Sequence, residues 1–130
     1  MKVRIPLFLL LPFLLFFCAK KEIPLSERPQ IPEKIILEKL QKLDHKFETI
    51  KDASKIVNCA LYIEGCLKVF RAAVMGYEIF VIEMRNDELA EIESKRVFGI
   101  QYGNWFFDNI KNEPPLIKKL QNEFRPVSLP

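Results

Sequence analysis

The chain has 130 residues, with 20 Lys and Arg against 17 Asp and Glu, one histidine and three cysteines. That length suits one domain, and a net charge of +3 excludes the basic field of a nucleic-acid binder. One histidine and three cysteines are also a poor inventory for a metal centre or a nucleophile triad, so no cofactor and no metal are expected.

The first segment is Met1–Cys18. Lys2 and Arg4 open it without an acid, Ile5–Phe17 is apolar apart from Pro6 and Pro12, and Cys18 is followed at once by Ala19, Lys20, Lys21 and Glu22. A charged start, a short apolar middle and an abrupt polar switch is the layout of an export signal. A bilayer span needs about 20 apolar residues, and proline interrupts the helix such a span requires. Residues 19–32 are polar and carry Pro24, Pro29 and Pro32, which reads as a semi-extended tether. No proline falls between Glu33 and Glu113, and all four glycines do, which places the folded unit at 33–125 and a tail at 126–130.

The ending Leu15-Phe16-Phe17-Cys18 resembles the lipobox of bacterial lipoproteins. Phe16 and Phe17 stand where that class usually has small residues, so an uncleaved anchor stays open beside lipidation. The resemblance covers the first eighteen residues and names no family for the rest. It implies a signal peptide over 1–17, lipid on Cys18, and a domain held on the extracytoplasmic side of a cell or outer membrane. The two positive charges removed with the signal leave 18 cations against 17 anions.

Within the folded unit, Ile36, Leu40, Leu43, Phe47 and Ile50 step by 4, 3, 4, 3, which predicts one amphipathic helix over Glu33–Ile50. His45 falls off that stripe as a solvated residue. Asp52, Ala53 and Ser54 stop this helix or cap another. Residues 56–74 also carry a helical spacing, but Gly65 and the β-branched and aromatic content favour strands at Val57–Ile63 and Cys66–Met75, turning at Glu64-Gly65. On either geometry Cys59 and Cys66 stand too far apart to bridge, so two buried free thiols are expected. Tyr77–Met84 is apolar on both faces, the pattern of a central strand. Asn86–Lys95 is acidic and reads as a solvated short helix with a Glu91–Lys95 pair.

Gly103-Asn104 predicts a two-residue hairpin loop of the II′ kind. It sets Tyr102 against Trp105, Ile100 against Phe107 and Phe98 against Asn109, with that face in the core and the other at least half wet. Pro114 and Pro115 open a last helix striped by Leu116, Ile117, Leu120 and Phe124.

The expected fold is therefore α+β, a small antiparallel β-meander of about four or five strands flanked by an N-terminal and a C-terminal amphipathic helix. No hydrolase or phosphate-binding pattern occurs, so no enzyme is expected. The leading expectation is a membrane-tethered interaction domain whose partners are the membrane and another envelope protein. The alternative is a small ligand-binding module lined by Tyr102, Trp105 and Phe107. The oligomeric state is left open.

Overall fold

A computed structural model describes residues 28–51, 57–110 and 112–125. Cys18, the signal, Asp52–Ser54 and the tail from Pro126 lie outside these residues. The described elements are helix α1 (Glu33–Leu43), β1 (Glu48–Ile50), a 3₁₀ turn (Cys59–Leu61), β2 (Cys66–Val74), β3 (Tyr77–Met84), helix α2 (Asp87–Arg96), β4 (Ile100–Tyr102), β5 (Trp105–Asp108) and helix α3 (Pro114–Glu123). The fold is α+β, built on one five-stranded antiparallel sheet in the order β1-β2-β3-β5-β4. It meanders as far as β3. Helix α2 then intervenes, and the last hairpin returns with its second strand beside β3.

Tyr77–Met84 is a strand over the residues its pattern predicts, and β2 and β5 pair on either side of it. Its two apolar faces serve two cores. Ile79 and Val81 join Ile36 and Leu40 of α1 with Leu116 and Leu120 of α3 and Phe124 at its C-terminal end, together with Trp105 and Phe107. On the opposite face Ile82 and Met84 meet Ala90 of α2 and Phe106. The face of the last hairpin expected to be half wet is dry at Phe106, because α2 covers it.

The hairpin turn behaves as its residues predict. Gly103 has φ +60 while Asn104 is not in the left-handed region, which is the II′ arrangement, and Tyr102 faces Trp105 as Ile100 faces Phe107. The expected Phe98–Asn109 pair does not form. Both residues have positive φ, and a left-handed residue breaks an antiparallel ladder.

Four further expectations are corrected. The first helix ends at Leu43, not Ile50: Asp44 is extended, and its carboxylate accepts from Lys46 N (3.0 Å) and from Met75 N (2.8 Å) in the β2–β3 turn. Phe47 still packs against the first core, so the stripe marks burial correctly across a change from helix to β1. Val57–Ile63 is not a strand. Asn58 caps the 3₁₀ turn by accepting from Ala60 N at 2.9 Å. That compact turn, followed by the reversal at Glu64-Gly65, overturns the expectation of free thiols: Cys59 and Cys66 form a disulfide with Cα atoms 5.4 Å apart, inside the span a bridge needs. The acidic segment is a helix with the Glu91–Lys95 pair at 2.9 Å, but it is not merely a solvated face, since Asp87 and Glu93 are buried.

Candidate interaction surface

Helix α2 is set by its ends. Asn86 Oδ1 accepts from Leu89 N at 2.9 Å, Asp87 and Glu88 occupy the first turn and Lys95 and Arg96 the last, which matches the helix dipole at both ends. Glu93 points inward with no solvent exposure. Its carboxylate accepts from Arg96 Nε and, at 2.5 Å, from the backbone N–H of Ile63. Burial opposes the Glu93 charge, but the Arg96 hydrogen bond, the Ile63 N–H and the Arg96 charge outweigh it and hold the carboxyl below its ordinary range. Arg96 Nη2 also donates to Leu61 O at 3.3 Å. The Glu93–Arg96 pair thus fastens the disulfide loop along α2.

Tyr62, in the same loop, donates its hydroxyl to Asp108 Oδ2 at 2.9 Å and lies edge-on to Phe106, with centroids 5.5 Å apart. Burial, then the Asp108 hydrogen bond, push its ionisation far up. A phenol held protonated beside a carboxylate is a structural link; it cannot serve as a base near neutral pH.

Around this fastened loop the apolar surface is open. Leu61 is 58% exposed, Ile92 53% and Phe98 79%. Arg96 holds Leu61 to α2, and Ile92 lies one turn before Arg96 on the same side of the helix. Phe98 follows in a Schellman ending: its N–H reaches Lys95 O (3.4 Å), and Gly99 N–H reaches Ser94 O (2.7 Å). The left-handed position of that motif usually holds glycine, yet here it holds phenylalanine at φ +57. The glycine sits one place later, where a Cβ would stand 2.2 Å from Phe107 O. A large side chain is therefore held out in water on a backbone conformation that disfavours it.

The residues singled out from sequence lie elsewhere. Trp105 and Phe107 have no exposed surface and Tyr102 is half-buried. Two of them meet at the end of α3, where Phe107 lies 4.5 Å and Tyr102 5.3 Å, centroid to centroid, from Phe124, while Trp105 is edge-on to Phe70 of β2 at 6.3 Å. Trp105 and Phe107 are thus core residues, and of the three Tyr102 alone reaches the surface. His45 is exposed in the turn after α1, and Cys18 lies outside the described residues. Among the described residues no group of three His, Cys, Asp or Glu side chains is placed to hold a metal, and no helix is long and apolar enough to cross a membrane. Sequence reasoning missed Phe98 as a surface residue by continuing the hairpin ladder through it. The basic turn Lys95-Arg96 followed by Gly99 is the available sign of a helix end there.

Compared with protein-family models, curated proteins and solved structures, the chain matches none.

Proposed function

We propose that the chain is an exported lipoprotein of the cell envelope, anchored through Cys18, whose domain binds another envelope protein through the corner formed by Leu61, Ile92 and Phe98. In this reading the helices at the two ends of the domain flank and support the sheet, and α2 with its disulfide loop is the working side. The observation that carries it is Phe98, which is 79% exposed and left-handed. Strained exposed residues concentrate at functional sites, and aromatic side chains are favoured at interface cores. The Cys59–Cys66 disulfide supports export, because disulfides persist in oxidising compartments and are rare in the cytosol.

The test is site-specific photo-crosslinking in intact cells. A photoreactive residue at Ile92 is expected to give a discrete adduct that disappears with Phe98→Ser. The same probe at Lys118, exposed on α3, is expected to give none. An identical pattern from both positions, or an Ile92 adduct indifferent to Phe98→Ser, contradicts the assignment.

A further inference from the structure

The residues just before α1 are fastened to the domain. The Arg28 guanidinium lies 3.9 Å from Asp87 Oδ2, and Gln30 Nε2 donates to Arg85 O at 2.8 Å. Ile31 is held twice: its N–H donates to Asn104 Oδ1 and its carbonyl accepts from Trp105 Nε1, both at 2.7 Å. Its Cδ1 fills the space over Gly103, 2.3 Å from where a Cβ would stand. Asn104 is itself fully buried and donates to Met84 O at 3.1 Å, so this strap is tied to the centre of the sheet's end. It also changes sides. Helix α1 belongs to the core on one face and Asp87 opens α2 on the other, so the chain crosses the end of the sheet and leaves beside the N-terminus of α2.

Resting on the anchored reading above, we infer that this strap sets the pose of the domain on its membrane. The β4–β5 turn, Arg85 and the start of α2 face the lipid surface, and Phe98, beyond the other end of α2, faces away from it. Between Cys18 and Arg28 the backbone spans ten residues and reaches at most about 33–36 Å. A domain of this size has a radius of gyration of roughly 13 Å, hence a width close to the tether's full reach. Phe98 lies toward the other end of the sheet: it leads into Ile100, which faces Phe107 on the Phe80–Asp108 side of the ladder. Bringing Phe98 to the bilayer would require the tether to run the roughly 25 Å length of the sheet, most of its reach, whereas the strapped end needs none of it. Charge does not override this geometry. Arg28, Lys34, Lys68 and Arg85 at the strapped end are matched by Glu33, Glu64, Asp87 and Glu88, so that end is not drawn to anionic headgroups. The pose comes from the tether, and it presents Phe98 outward.

The test uses the full acylated chain reconstituted in phosphatidylcholine vesicles carrying an acceptor fluorophore on a fraction of the headgroups. A donor is attached to Glu88→Cys at the strapped end or to Lys46→Cys at the far end, beside the Asp44–Met75 bond. Cys59 and Cys66 are joined and Cys18 is acylated, so the introduced thiol alone reacts. The ends of β3, eight residues at about 3.3 Å each, stand roughly 25 Å apart. Energy transfer from Glu88→Cys is therefore expected to exceed that from Lys46→Cys several-fold, and a long Gly/Ser insertion before Arg28 is expected to shrink the difference. Equal or reversed transfer in protein that floats with the vesicles overturns the pose while leaving the anchor standing, as does a difference indifferent to the insertion. Protein that does not float with the vesicles refutes the anchored reading and the pose together.

Discussion

Replacing Phe98 by glycine separates the two things this residue does. Its backbone is left-handed at φ +57, which costs a residue with a Cβ roughly 1–2 kcal/mol and glycine nothing comparable. Against this, glycine loses more chain entropy on folding, about 0.5–1 kcal/mol. The side chain is 79% exposed, so little buried area is lost. The balance predicts that Phe98→Gly stabilises the domain by about 0.5–1 kcal/mol, a rise in Tm of about 2–8 °C at this size. Phe98→Ala keeps the strained backbone and is expected to stay within about 0.5 kcal/mol of the parent. Thermal and urea unfolding of the chain from Ala19 onward, followed by circular dichroism, reads both. The pair matters more than either alone: both variants are expected to lose the Ile92 crosslink, so that stability rises or holds as binding falls. A Phe98→Gly variant destabilised by more than about 1 kcal/mol would show the ring packed in the native protein and would refute the surface assignment.

The core gives the opposite expectation: Phe107→Ala should lower stability by about 3–5 kcal/mol in urea unfolding, and a loss under about 1 kcal/mol would contradict its burial. Removing the bridge by Cys59→Ala with Cys66→Ala opens a loop of sequence separation 7 and is expected to cost roughly 2 kcal/mol; alkylation without reductant followed by mass measurement reads the bridge itself. Glu93 and Asp44 are both held below their ordinary ranges, Glu93 by Arg96 and Ile63 against its burial and Asp44 by the Met75 and Lys46 N–H groups. Each depressed carboxyl contributes stability that is complete above its unfolded value, about 4.3 for Glu and 3.9 for Asp, and is lost as pH falls through the lower folded value. The contribution of these two groups to Tm is therefore expected to be level down to about pH 5 and to fall away below about pH 4. Glu93→Gln should flatten part of that drop, and an unchanged acid limb would contradict its assigned pairing.

The sequence made the fold legible wherever two local signals agreed. Gly103-Asn104 and the alternation on either side specify the same register, and Tyr77–Met84 declares a central strand by being apolar on both faces. The misreadings arose where a distant residue decides the local structure. Asp44 ends α1 because its carboxylate is engaged by Met75, thirty-one positions away, and the 4, 3 spacing through Phe47 and Ile50 cannot register that change. The segment before Gly65 is shaped by a disulfide and by Glu93, so strand propensity misjudged it. Composition made α2 look solvated, while the buried Glu93 depends on Ile63 from another loop. The strap was equally hidden: Gln30 and Ile31 look like tether, but Arg85 holds Gln30 from fifty-five positions on, and Asn104 and Trp105 hold Ile31 from more than seventy. Aromatic character pointed to Trp105 and Phe107 as binding candidates, yet a sheet covered on both faces uses its largest rings as core and leaves Phe98 outside.

The anchored reading is tested most directly by the mass of the N-terminal peptide of the protein extracted from native membranes. The account predicts a chain beginning at Cys18, with that residue carrying acyl chains. A chain that still begins at Met1 with an unmodified Cys18 would contradict it.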